Sequence, residues 1–317
     1  MSASGSPIVP PAVVHSIRVI ARKDFTAAIR SRTLFALGAV FVLFIGGTAG
    51  LVSYLGEGVA AGGLFGASAG GLLGLRLSYA GILGLIVGLT ALLAAYGAIV
   101  DERSTGTLKL LLGLPHPRRS VVLGKLLGRT TVVVTPALVG FLVAAVAILA
   151  GGGSVDFLRF TVLVLLTMLL CAVFVATAVG ISAAARRPRR ATVTALGGYV
   201  FFALFWAPFA QGVDQVVALV FRELPGLSAP SPLASLKLSL FVKILNPLRA
   251  YESLAISLYG TELQGRLALA GFRERALGQS LGELPLYLGD PALLVVLLAW
   301  VIVPIAYGVA RFDRVEL

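Results

Sequence analysis

The chain has one cysteine, two histidines and two methionines among its 317 residues. A single cysteine, Cys171, excludes a disulfide within the chain and leaves the redox compartment undetermined. His15 and His116 lie far apart in the sequence, and neither has metal-ligand neighbours at helical spacing. We therefore expect this chain to bind no metal and no cofactor of its own.

The sequence also lacks the glycine-rich loop that binds nucleotide phosphates. The nearest candidate is Gly124-Lys125, but Leu126 follows where that motif needs Ser or Thr, and the first glycine is missing at the required spacing. The chain is therefore not expected to hydrolyse nucleotide by this route, and we predict that it is not an enzyme.

Charged residues are scarce, at 13% against 58% hydrophobic residues, and the mean hydropathy is +0.98. Such a chain cannot bury its apolar surface in one soluble core, so it is predicted to lie in a bilayer. About 20 helical residues cross a hydrocarbon core of about 30 Å. Six windows meet this length, at residues 34–55, 78–100, 130–150, 160–183, 192–210 and 291–310. The predicted fold is an all-α polytopic membrane protein, with residues 1–317 forming a single transmembrane domain.

Acidic residues are fewer than basic ones, 14 against 26, which gives a net charge of +12. The whole excess falls on one face when the N-terminus, the second and fourth loops and the C-terminal tail are assigned to it. Lys and Arg are enriched on the cytoplasmic side of membrane proteins. We therefore predict a cell-membrane protein with both termini in the cytoplasm. No basic-aromatic platform for nucleic acid accompanies this charge.

The segment 11–32 is predicted to be an amphipathic helix, and no cleavable signal peptide is expected before it. Basic residues on one arc would face lipid headgroups. Asp24 interrupts the apolar arc, so two interpretations stay open: an anchor on the lipid surface, or a specific cytoplasmic contact made by Asp24. The basic turn at 186–190 has two interpretations as well. It is either a topology signal or a further cytoplasmic contact through Arg187 and Arg189.

The longest loop, 211–290, is predicted to lie outside the cytoplasm, and loops of this size usually carry function or structure of their own. Residues 233–245 are too few to cross a bilayer and include two lysines, so they predict an interfacial or re-entrant helix that Asn246 and Pro247 end. Residues 248–258 and 263–281 predict further helical segments.

The most distinctive segment, 96–128, follows the second window and reads YGAIVDERSTGTLKLLLGLPHPRRSVVLGKLLG. A membrane helix ends at Val100, and polar and turn-forming residues follow. A short apolar piece at 108–114 ends before Pro115 and Pro117, because proline lacks a backbone donor and restricts the residue before it. A short helix held between two spans is predicted to be bound by a partner outside the bilayer.

This segment resembles the region after the second span in permeases of ABC-2 type transporters, most closely the NosY-like branch. The segment 20–34 is also similar to the opening of that family, and Asn246-Pro247 before Ala250-Tyr251 is similar to its outer-loop pattern. The matching features of segment 96–128 are Asp101 and Glu102, Gly106-Thr107-Leu108, the apolar run 110–112, Pro115, Arg118 and Arg119, and Leu123-Gly124-Lys125.

The resemblance implies a permease subunit of an exporter. It would couple ATP hydrolysis by a separate cytoplasmic ATPase, which binds the ATP and Mg, to substrate translocation or to transmembrane signalling. Two permease copies would pair with two ATPase subunits, and an extracytoplasmic accessory protein could join them. The loop 101–125 would carry a coupling helix that docks on the ATPase. The implied coupling residues are Asp101, Glu102, Gly106, Thr107, Leu108, Leu111 and Pro115.

The substrate does not follow from the resemblance, although the lack of a Met- or His-rich tract argues against direct copper transport. An ATP-independent secondary transporter or a channel is the alternative function. That class calls for inverted repeats or for charge inside the spans, and the sequence shows neither. A membrane-embedded enzyme would need a polar constellation at depth, and none is visible.

Overall fold

The computed structural model describes residues 11–29, 32–55, 69–72, 75–105, 117–223, 231–270, 278 and 284–313. Within these ranges the protein is helical, as the composition predicted, apart from one short hairpin. Helices α1 to α13 cover Pro11–Ile29, Arg32–Phe41, Gly47–Leu55, Tyr79–Ala95, Val100–Ser104, Arg118–Ala150, Phe157–Ala184, Pro188–Val200, Trp206–Glu223, Pro232–Ile244, Pro247–Tyr259, Glu262–Ala268 and Asp290–Asp313.

Shorter elements join these helices. Two π-helical segments are present, Val42–Gly46 and Phe201–Phe205. The first joins α2 to α3, and the second joins α8 to α9, in each case without a break in the helix. The strands β1 (Ala69–Leu72) and β2 (Leu75–Leu77) form an antiparallel hairpin ahead of α4. A 3-10 turn at Leu286–Leu288 precedes α13.

Five helices are long and apolar enough to cross a membrane: Tyr79–Ser104, Arg119–Ala150, Phe157–Ala184, Pro188–Phe221 and Asp290–Phe312. A shorter apolar stretch, Phe35–Leu51, lies inside the continuous run from α2 to α3. These helices coincide with the six predicted windows, but two of them are longer than predicted. The third begins at Arg118 rather than near residue 130, because its first turns pack against α1. The fifth continues to Glu223, well past residue 210.

Helix α7 lies at the centre of the bundle and packs against α4, α6 and α13. Its closest approach is to α13. A Cβ atom at Gly180 would collide with the carbonyl oxygen of Pro304, and one at Gly308 would lie 2.8 Å from the Cα atom of Gly180. The absence of side chains at these two glycines therefore sets the distance between the two helices.

Replacing Gly180 with alanine should therefore destabilise the protein by about 1–3 kcal/mol, because backbone must move to admit the methyl group. Gly197→Ala in α8 is the matched control, since no atom lies within 4 Å of its would-be Cβ. Thermal unfolding in detergent measures both variants. Equal midpoints for the two would contradict the close packing of α7 on α13.

The long loop folds back onto the bundle. The helix predicted at 233–245 is α10, and the one predicted at 248–258 is α11. Of the third segment, α12 is described, while residues 271–277 and 279–283 lie outside the described residues. Helix α11 is largely buried and contacts α4, α7 and α13.

The junction between α10 and α11 is held by two spanning helices. The Asn246 side chain accepts from the Leu248 amide and donates to the carbonyl of Phe202, at 2.9 and 2.7 Å. Trp206 donates to the Val242 carbonyl from one side, and Trp300 donates to the carbonyl of Leu245 from the other. The Asn-Pro pair that ends α10 in the sequence is thus also the point that joins the long loop to the bundle.

Candidate functional site

Several helices end close together at one end of the bundle, which also carries the basic turn 186–190. We call it the basic end. Here α4 breaks at residues 96–99 and the short α5 follows. The Ser182 hydroxyl, at the end of α7, accepts from the amides of Ile99 and Val100 at 3.0 Å each. Amides at a helix start have no hydrogen-bond partner within the helix. Ser182 of α7 provides that partner for the first amides of α5.

Arg103 joins α5 to the ends of α7 and α13. Its guanidinium donates to the carbonyls of Ala185 and Ala183, at 2.6 and 3.3 Å, where the last carbonyls of α7 lack helical donors. It also lies over the ring of Phe312 in α13, 5.6 Å from the ring centroid. The short helix after the second span is therefore attached to the fourth and the last spanning helices.

A cluster of four charged residues attaches α5 to α1 and α6. We call Asp24, Glu102, Lys125 and Arg129 the Lys125 cluster. The Lys125 side chain is 1% exposed, and its Nζ donates to Asp24 Oδ1 at 2.8 Å and to Glu102 Oε1 at 2.6 Å. Arg129 Nε lies 3.5 Å from Asp24 Oδ2, and the same guanidinium donates to the Ala94 carbonyl. Two positive and two negative groups thus balance in formal charge.

Glycine spacing in α6 brings the acidic residue of α1 to this lysine. Gly124 and Gly128 lie four residues apart and so share one face of the helix. A Cβ atom at Gly124 would lie 2.8 Å from Ile20 Cβ, and one at Gly128 would lie 2.9 Å from Asp24 Cβ. The bare backbone of α6 therefore lets α1 approach closely enough for the short Asp24 side chain to reach Lys125.

This packing bears on the two interpretations of the N-terminal helix. Ile20 is buried against α6, and Asp24 makes a specific contact within the protein. Val14 and Val19 remain exposed on α1. The helix thus packs against α6, while other apolar side chains stay available to lipid.

The predicted coupling residues differ in their exposure to solvent. Asp101 is exposed in the first turn of α5, whereas Glu102 points inward to Lys125. Arg187 and Arg189 are exposed in the basic turn. Five others lie outside the described residues: Gly106, Thr107, Leu108, Leu111 and Pro115. A contact of any of these side chains with an ATPase stays a prediction.

Sequence reasoning missed the roles of three residues that organise this end, namely Lys125, Arg103 and Ser182, of which only Lys125 was named, as part of the family's motif. One signal was available for Lys125. It lies between two glycines at i−1 and i+3, and small residues four apart are typical of close helix contacts in membranes. The hydroxyl of Ser182 carries no comparable signal, since serine is common in membrane helices.

The arrangement suits transmission of force. The described residues include no group of three or more His, Cys, Asp or Glu that could hold a metal ion. Buried charges at this end are instead used to hold helices together, and breaking one such pair leaves an uncompensated charge that costs about 3–5 kcal/mol. A displacement of α5 would therefore disturb its contacts with α1, α6, α7 and α13.

Known proteins resemble this chain over most of its length. Residues 18–317 match the family described as ABC-2 family transporter protein. The chain is 36% identical over 200 residues to the probable ABC transporter permease protein NosY of Pseudomonas aeruginosa, over 59% of this chain and 66% of that relative. It is 30% identical over 309 residues to the protein of the same description from Stutzerimonas stutzeri, over 93% and 97%. The first alignment thus spans just under two thirds of the relative, and the second spans nearly all of it.

Proposed function

Because the chain belongs to the ABC-2 family of transporter proteins, we propose that it couples ATP hydrolysis by a separate cytoplasmic ATPase to substrate export. Membership of this family implies a cytoplasmic ATPase partner. The finer proposal is an assembly of two permease copies and two ATPase subunits, with ATP and Mg bound by the ATPase. The proposed assembly also includes an extracytoplasmic accessory protein.

The attachment of α5 is the observation that carries this function. Residues of α5 or its first amides bond to α7 through Ser182, to α13 through Arg103 and to α1 and α6 through Lys125. These contacts are mostly buried. A displacement of α5 would therefore be transmitted to α1, α6, α7 and α13, since few of the contacting side chains are free to move in solvent. A partner could therefore shift several spanning helices together by binding α5 and the residues that follow it.

The proposed topology places the basic end in the cytoplasm. The start of α6, the basic turn 186–190 and the end of α13 lie together there, and the positive-inside bias assigns such an end to the cytoplasmic face. The ATPase would then contact exposed groups of this end. Asp101, Arg187 and Arg189 are described and exposed, and the proposed contact continues over residues 106–115.

Reversing the charge at Asp101 tests the contact. Asp101→Arg should reduce co-purification of the ATPase about tenfold, since a loss of about 1.4 kcal/mol at an interface changes affinity by that factor. The variant should still insert into the membrane, because the side chain is exposed. Glu223→Arg, an exposed acid at the far end of α9, is the matched control. Equal recovery of the ATPase with both variants would count against docking at α5.

The function itself is tested with the purified complex. Affinity purification of the detergent-solubilised chain, followed by mass spectrometry, should recover an ATPase subunit with a phosphate-binding loop. The complex in lipid nanodiscs should hydrolyse ATP, and substitution of the catalytic residues of the ATPase should abolish both hydrolysis and transport. Transport by the chain without nucleotide would instead support a secondary transporter or a channel.

A further inference from the structure

A cavity lies at the end of the bundle opposite the basic end, beside the start of α4. The π-helical segment Phe201–Phe205 and the start of α11 form its other walls. Its volume is about 30 Å³, which is room for one or two water molecules. A small chemical group can therefore enter it, whereas a whole sugar, lipid or peptide cannot. Its lining includes Gly81, Leu85, Ala203, Leu204, Arg249 and Glu252.

A buried ion pair forms one wall of this cavity. Glu252 is 2% exposed. Its Oε1 atom accepts from the Ser78 hydroxyl at 2.6 Å, and its Oε2 atom accepts from Arg249 Nη1 at 2.8 Å. Gly81 leaves space for the carboxylate, because a Cβ atom there would lie 2.8 Å from Oε1. Both carboxylate oxygens are thus bonded within the protein and are shielded from an incoming molecule.

Arg249 differs from its partner in being accessible. Its side chain is 22% exposed and lines the cavity. A guanidinium has five N–H donors, and in the described part of the chain Glu252 is the only group bonded to this one. Glu252 therefore holds the guanidinium in place through one donor, while other donors remain for a molecule in the cavity.

The local charge favours an anion at this position. The pair of Arg249 and Glu252 is neutral in formal charge, and Glu252 is the only acid among the described lining residues. Two helices also begin here. Ser78 caps the start of α4 by accepting from the Gly81 amide at 2.9 Å, and Arg249 lies in the first turn of α11. Each helix start carries roughly half a positive charge, so the two starts add a positive potential to the neutral pair.

The walls decide which anions fit. Leu85, Phe202 and Leu248 make most of the lining apolar, and a charged hydrogen bond is stronger in such surroundings than in water. Planar guanidinium donors match the oxygens of a carboxylate or a phosphate. The volume admits only such a group. The rest of the ligand would stay outside, past the half-exposed Leu204.

We propose that this cavity binds an oxyanion group, a carboxylate or a phosphate, through the guanidinium of Arg249. Glu252 positions that guanidinium, and Ser78 in turn holds Glu252. The site lies at the start of the second spanning helix, where lipid headgroups meet water. The bound group could therefore belong to a free small anion or to a phospholipid. Binding at this site does not depend on the proposed ATPase.

Titration of the full chain in a neutral detergent tests this site. Inorganic phosphate or a short-chain phosphatidylglycerol should bind and raise the unfolding midpoint, and calorimetry gives the dissociation constant. Arg249→Gln should weaken binding about tenfold or more, because it removes a hydrogen bond between charged groups. Arg159→Gln is the matched control and should bind as the unaltered chain does. Arg159 forms a pair of the same i,i+3 spacing with Asp156, but both side chains are about half exposed.

A second variant separates loss of the site from loss of the fold, since Arg249→Gln leaves Glu252 without its cation. Ala203→Leu fills the cavity, keeps the ion pair and should also weaken binding. Binding of phosphate identifies a free anion as sufficient, whereas binding of the lipid alone assigns the site to a headgroup, and either result supports the proposal. Binding that is unchanged in both variants, or that sodium chloride at equal ionic strength reproduces, would overturn it. Failure to bind either compound would also overturn it, while the proposed coupling to an ATPase would stand.

Discussion

Replacing Lys125 with methionine should both destabilise the protein and weaken its binding of the proposed ATPase partner. The substitution keeps most of the length of the side chain but removes the cation that Asp24 and Glu102 share, whose side chains are 7% and 21% exposed, and leaves only Arg129 near Asp24. Breaking a buried ion pair in this way costs about 3–5 kcal/mol. Thermal unfolding in detergent should show a clearly lower midpoint. The fraction that remains folded should recover less ATPase, because α5 is no longer held in place by α6.

Two variants calibrate this result. Arg159→Met removes a cation from a pair with Asp156 that is 3.3 Å long and about half exposed, and exposed pairs contribute at most about 1 kcal/mol. Adding Asp24→Asn and Glu102→Gln to Lys125→Met removes the stranded charges and should restore part of the lost stability. A Lys125→Met variant as stable as Arg159→Met would refute the role given to the Lys125 cluster.

Replacing Arg266 with methionine should destabilise the opposite end by a similar amount. This arginine is fully buried. It donates to the carbonyl of Leu288, to the Ser253 hydroxyl and to the carboxylate of Asp290, at 2.5, 2.7 and 2.5 Å. It thus joins α12 to α11 and to the start of α13. We expect a loss of about 3 kcal/mol, at the lower end of the range for buried pairs, because Asp290 is one-third exposed and water can solvate it.

The two substitutions should differ in their effect on assembly. Arg266 lies far from the basic end, so the folded fraction of Arg266→Met should bind the ATPase as the unaltered chain does. Arg266→Lys should recover only part of the stability, since an ammonium group cannot reproduce the fork geometry of a guanidinium. A normal unfolding midpoint for Arg266→Met, or a selective loss of ATPase binding, would contradict this separation of the two ends.

The class of protein and most of its spans could be predicted from the sequence. Bilayer thickness converts directly into a run of apolar residues, so each window is a local property of the chain. The helix at 233–245 and its end at Asn246-Pro247 were also local signals, and the structure confirms them as α10 and its junction with α11. The motif after the second span pointed to the family that the comparisons show.

Partners distant in sequence were decided by the tertiary structure alone. Lys125 meets Asp24 across 101 residues, and Ser182 meets Ile99 across 83. The sequence offers many basic residues near the cytoplasmic face, and nothing local shows which of them is buried between two carboxylates. The same holds for Glu102, which the motif assigned to an outside partner but which the fold turns toward Lys125. Hydrophobicity acts along the chain, whereas the choice of ion-pair partner depends on how the helices pack in three dimensions.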